Sequence, residues 1–126
     1  MAGKNPVWKK RPEAKDYEAA RSFLSLVYPG GHARRLVRAM RKAEGVEHVA
    51  KDILRASNLP LLPRTEAHVR EDLRKLHEGE ALAPVLLVQG NLSRQRGLVV
   101  ADGYHRTCAI CHYDEDAPVR CRLVKG

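Results

Sequence analysis

The chain has 126 residues, 30% of them charged and 5% aromatic, with a formal net charge of +8 at neutral pH. That length holds one domain with a modest core, and no stretch approaches the ~20 consecutive apolar residues of a membrane span. So few aromatics argue against a broad base-stacking platform for single-stranded nucleic acid, while a sequence pI of about 9.8 invites a polyanionic partner.

The positive charge is uneven. Residues 1–57 hold 13 Lys and Arg against 6 Asp and Glu, whereas residues 58–126 hold 10 against 9. Residues 1–15 are polar and basic, with two prolines, and read as a flexible arm. A helix is predicted from a cap at Asp16 to Tyr28, on the helical spacing of Ala20, Phe23, Leu24 and Val27, with Pro29-Gly30-Gly31 ending it. A second is predicted from His32 to Glu44, with Ala33, Leu36, Val37 and Met40 as its apolar stripe. A third is predicted from Val46 to Ser57, burying Val49, Ala50, Ile53 and Leu54. Residues 16–58 are thus expected to form a helical extension. Arg34, Arg38 and Arg41 share one side of its second helix and are the candidates for DNA phosphate contacts. The plainer alternative is a helical layer whose arginines face water.

Leu59 to Leu62, with prolines at 60 and 63, reads as an edge strand or an extended lead-in. Thr65 is expected to cap a helix over 66–77 that buries Val69, Leu73 and Leu76 and carries His68, Glu71 and Lys75 on another side. Pro84–Val88 and Leu98–Ala101 read as antiparallel strands around the polar loop Gln89–Gly97, which holds Arg94 and Arg96. A short helix over 104–112 and a last strand, Val119–Val124, complete an α+β domain over 59–126, a small mixed sheet with packed helices.

The richest stretch is Leu98 to Arg106. Apolar residues suited to a buried strand run into Asp102-Gly103, and a helix starts at Tyr104. The backbone N–H groups of Gly103 to Thr107 are then placed to face an oxyanion, with the helix dipole favouring negative charge there. Arg106 suits a forked grip on phosphate oxygens, and His105 can donate one more hydrogen bond. Asp102 is a candidate to orient His105, to hold magnesium or to act as a base. The alternative is a structural corner in which Arg106 pairs with a nearby carboxylate.

The residues Val99-Val100-Ala101-Asp102-Gly103-Tyr104-His105-Arg106 resemble the signature box of the ParB/sulfiredoxin superfamily, and the likeness extends over about Leu59 to Val124. The resemblance implies a ParB/sulfiredoxin-like fold that holds ATP, ADP or CTP with magnesium at this turn. Gly103, Tyr104, His105, Arg106 and Thr107 would contact the phosphates, and His68 and Lys75 on the preceding helix would face the nucleotide. One branch, a free-serine kinase, has a box resembling Asp-Gly-His-His-Arg. A phosphotransferase or nucleotide hydrolase is therefore expected, with Asp102, His105 and Glu71 as catalytic candidates. The other expectation is a DNA-associated protein of partition or phage type, including a nuclease. Sulfiredoxins carry a catalytic Cys where this chain has Tyr104, and a phenol cannot form the sulfinyl intermediates of that chemistry.

Three cysteines remain. Cys108-Ala109-Ile110-Cys111-His112 matches the letters of a haem-attachment motif, and with Cys121 it also suits zinc. The expectation is core packing by small apolar thiols, with no metal. The opening residues Met1 to Pro6 lack the apolar core of a secretion signal, so a cytoplasmic chain with reduced thiols and no membrane partner is expected.

Overall fold

The computed structural model describes residues 5–126. Among these, five α-helices surround a four-stranded mixed sheet. The centre is β2 (Val85–Gln89), whose residues Val85 to Val88 are all buried. A strand covered on both faces needs such an unbroken apolar run. It pairs in parallel with β4 (Pro118–Lys125) and antiparallel with β3 (Val99–Asp102). Beyond β4 lies β1 (Val46–Val49), giving the order β1-β4-β2-β3.

Alternation along β2 divides the core in two. Leu86 and Val88 pack with Ala101 and Val124 against α1 (Ala14–Leu24) and α2 (His32–Lys42). Val85 and Leu87 pack with Val119 and Cys121 against α3 (Ala50–Ser57), α4 (Ala67–Glu78) and α5 (Tyr104–Tyr113). Residues 16–58 therefore supply one whole layer, one strand and part of the other layer. No separate hydrophobic core belongs to them among the described residues.

The third expected helix starts four residues late, because Val46 to Val49 form β1, in register with Cys121 to Pro118 of β4. Paired valines and a free strand edge outweigh the weak helical periodicity there. Leu59–Leu62 is no strand. Pro60 and Pro63 lack N–H groups to donate to a ladder, and side chains of α5 take the segment's carbonyls instead. Tyr104 donates to the Pro60 oxygen at 2.6 Å, and His112 Nε2 lies 2.7 Å from the Leu62 oxygen.

Helix starts differ too. Glu13 caps α1, and Asp16 accepts the Glu13 N–H at 2.8 Å from inside the first turn. The helix stops at Leu24, short of Tyr28. Glu66 rather than Thr65 caps α4, accepting the Val69 N–H at 2.9 Å. The expected arm is tethered over part of its length. The Lys9 N–H bonds the Leu82 oxygen and the Leu82 N–H bonds the Val7 oxygen, both at 2.8 Å, while residues 1–4 lie outside the described residues.

Leu86 and Leu87 test whether the two layers melt as one. Leu86→Ala and Leu87→Ala should each lower unfolding stability by ~2–5 kcal/mol in a single transition by urea denaturation. A second transition retained in Leu86→Ala would show α1 and α2 folding on their own.

Candidate functional site at the β3–α5 corner

Gly103 makes the corner. Its φ is +106°, and a Cβ there would sit 2.8 Å from the Val85 side chain, so an L side chain meets both backbone strain and a clash. Thr107, fully buried, returns its N–H and its hydroxyl to the Gly103 oxygen at 2.9 and 2.8 Å. The N–H groups of Tyr104, His105 and Arg106 take no acceptor among the described residues, and no side chain caps the helix. The positive end of α5 is thus left uncompensated.

Arg106 does not reach outward. Its Nη2 lies 2.9 Å from Asp102 Oδ2 and 3.4 Å from the Pro84 oxygen, and its Nη1 lies 4.0 Å from Asp16 Oδ1. The side chain is 16% exposed, and its Nε is buried without a hydrogen-bond partner. The corner is therefore the ion-paired arrangement that formed the alternative to a forked phosphate grip. Burial pushes the Asp102 carboxyl up, Arg106 pulls it down, and the neighbouring Asp16 pushes it up again.

Helix α4 brings its own polar residues to the corner. His68, Asp72 and Lys75 succeed one another by about one turn each, and Asp72 lies within electrostatic range of Arg106, Lys75 and His105. Asp72 is half-buried, and burial raises its carboxyl despite those cations. It makes no ion pair among the described residues. Glu71, the residue expected in this place, is exposed and points away, with its carboxylate 2.6 Å from Arg74. The signal for Asp72 lies in the sequence. Val69, Asp72, Leu73 and Leu76 follow the i, i+3, i+4, i+7 pattern of a buried stripe, and a carboxylate within such a stripe marks a site.

A second group lies beside the first. His68 Nδ1 is 3.0 Å from Glu66 Oε1, His105 Nε2 is 3.9 Å from Glu66 Oε2, and the two imidazole centroids are 4.7 Å apart. The Val69 N–H, above all, holds the Glu66 carboxyl down to about 2, with His68 adding to the effect. Magnesium prefers an octahedron of oxygen ligands. Asp16 and Asp102 face Arg106, and Glu66 sits with two imidazoles.

Arg34, Arg38 and Arg41 come together elsewhere. With Arg21 they line a groove of about 370 Å³ between α1 and α2, over Tyr17 and Val37, with Glu18 as the acidic residue in its wall. The Arg41 guanidinium stands 4.2 Å over the Tyr17 ring. Arg94 and Arg96 sit in the β2–β3 loop, at the opposite end of that hairpin from the corner. Cys108 and Cys121 are fully buried in the core, and burial raises all three thiols, Cys121 to about 12. No cysteine joins a metal-competent group among the described residues.

Replacing Arg106 with Met leaves Asp16 and Asp102 facing each other with no cation between them. The cost should be ~3–5 kcal/mol at pH 7. The Asp102 carboxyl, raised by burial, destabilises the fold when ionised, and the penalty fades as pH falls through its raised range. The stability gap between Arg106→Met and the parent, read by urea denaturation, should therefore narrow from pH 7 to pH 5. A constant gap would show that the two carboxylates do not share the cation. Gly103→Ala should cost ~1–3 kcal/mol from backbone strain alone.

Compared with known proteins, the chain matches no family model, no curated protein and no solved structure.

Proposed function

We propose that the β3–α5 corner binds the phosphate group of a small molecule, and that the ligand is a nucleotide, as the resemblance of Asp102 to Arg106 to the ParB/sulfiredoxin box implies. The observation that carries this reading is the uncapped start of α5, where three N–H groups are without acceptors beside His105. Oriented N–H groups at the positive end of a helix are a ready anion site. His68 and Lys75 on α4 add donors from the facing side. Arg106 acts from beneath in this reading, neutralising Asp102 so that the corner does not repel an anion.

For phosphoryl transfer or nucleotide hydrolysis, positioning and charge stabilisation do most of the work, and one group must take a proton from the nucleophile. Asp72 suits that role better than Glu71. Its carboxylate is half-buried, its proton affinity is raised by burial, and no cation pairs with it at contact distance. ATP, ADP, CTP and inorganic phosphate, each tested by thermal shift and calorimetry, should include at least one ligand that stabilises the protein. His105→Ala and Lys75→Ala should each weaken that ligand by ~10-fold, and Asp72→Asn should remove turnover while leaving binding in place. A flat response to all four ligands would refute the site.

A second reading rests on the arginine groove. Arg21, Arg34, Arg38 and Arg41 on two adjacent helices suit the phosphates of a DNA backbone. A gel shift on duplex DNA should weaken steeply with salt. Arg34→Ala, Arg38→Ala and Arg41→Ala should each lower the salt slope by about one counterion, and His105→Ala should change nothing. A salt slope unaffected by these substitutions would remove the groove from DNA binding.

A further inference from the structure

Glu66, His68 and His105 present one carboxylate oxygen and two ring nitrogens within 4.8 Å of one another. We propose that they form a binding site for a zinc-class divalent transition metal ion at the mouth of the β3–α5 corner.

The three residues come from different parts of the fold. Glu66 is the cap of α4, His68 lies in its first turn, and His105 lies in the first turn of α5. Two nitrogens and one carboxylate are the donor set of catalytic zinc sites, which keep a further position open for water or substrate. In such a site, ligand atoms ~2.0–2.1 Å from the metal stand about 3.3 Å from each other. Glu66 Oε1 lies 3.0 Å from His68 Nδ1 and its other oxygen, Oε2, lies 3.9 Å from His105 Nε2; with one ligand atom per residue the three lie within 4.8 Å, wider than that value, so a ring must move to close on a metal. His68 is 74% exposed and His105 43%, so both rings have room to close the remaining gap by rotation.

The carboxylate is preset. The Val69 N–H bonds Glu66 Oε2 at 2.9 Å, which fixes the plane of the carboxylate and leaves Oε1 turned to His68. Hydrogen bonding from behind is how proteins orient ligating carboxylates. The Glu66 carboxylate supplies a negative charge for a cation between the two rings. The two imidazole rings, tilted by 40° with centroids 4.7 Å apart, offer a ring nitrogen each on the same side as the carboxylate, so one divalent ion can take all three donors. With two neutral imidazoles and one carboxylate, a divalent ion held there would carry a net positive charge beside the start of α5, where His105 lies. Imidazole donors suit zinc, cobalt, nickel and copper, and this set discriminates against magnesium.

This inference deepens the phosphate reading by naming what a bound phosphate oxygen would meet, but the metal alone is its probe. Metal-free full-length protein is titrated with Co2+, followed by visible absorption and by calorimetry, with Zn2+ in competition and no nucleotide present. One equivalent per chain should bind, giving a cobalt spectrum that Zn2+ abolishes and Mg2+ does not. His68→Ala and His105→Ala should each weaken binding at least ~10-fold. Glu66→Gln should do the same while keeping the acceptor for the Val69 N–H, and so the cap and the fold, intact. Lys75→Ala should leave Co2+ binding unchanged while weakening the phosphate ligand, which separates failure of one site from failure of the other. Absence of binding, or binding lost on Cys111→Ala or His112→Ala and retained in His105→Ala, overturns the proposal.

Discussion

The Arg106 guanidinium, lodged beneath the β3–α5 turn between Asp102 and Asp16, is the contact on which the rest of the structure hangs. It joins three elements far apart in sequence. Asp16 belongs to α1, Asp102 ends β3, and Arg106 lies in the first turn of α5. A buried ion pair adds little net stability over an apolar replacement, yet losing one partner is costly because the other charge is stranded. The cluster ties the start of α1, where Glu13 and Asp16 form the cap, to the corner, while Tyr17, Ala20 and Leu24 seat the helix on the sheet.

The same contact decides what the corner can do. A guanidinium engaged by carboxylates is not free to grip a ligand from the front. The groups that face outward are the α5 N–H groups, His105 and the polar residues of α4. Gly103 then becomes the second constraint, because the sharp turn and the contact with Val85 leave no room for a side chain. The corner consists of a rigid, buried, ion-paired floor and a more exposed rim of histidines. Precise positioning of reacting groups needs such a floor, and exposed imidazoles can adjust to what arrives.

Much of this was legible in the sequence, and the misses share a physical origin. Strands β2, β3 and β4 and helix α5 announce themselves because both core faces demand apolar residues at period two, or a glycine break before a helix. Strand β1 does not, because its four residues are largely exposed at a sheet edge and only the pairing with β4 makes them a strand. The lead-in at Leu59–Leu62 is apolar like a strand, but its carbonyls are claimed by Tyr104 and His112, side chains that no local pattern ties to it. At the site, His68 and His105 were readable from the helix face and from the box. Their common partner Glu66 was not, because the sequence pattern places the cap at Thr65, one residue earlier. Asp72 lies one residue beyond the expected Glu71, inside the apolar stripe of Val69, Leu73 and Leu76, where helical spacing reads as core.

The charge order around the corner follows from these placements. Burial leaves Asp72 and Asp102 more basic than free carboxyls, Asp102 with Asp16 beside it. Arg106 is the cation that meets Asp102 at contact distance and Asp72 only through space. An anion arriving at the α5 N–H groups adds negative charge beside Asp72 and favours its protonated form further. In the proposed phosphate reading, that raised proton affinity strengthens Asp72 as a base only while its carboxylate stays ionised. Glu66, fixed in its ionised form by the Val69 N–H, does not take part in that exchange and stays available as a permanent negative charge for a cation at the rim. Glu66 and Asp72, six residues apart, thus differ in proton affinity for separate reasons: a backbone donor lowers the one and burial raises the other.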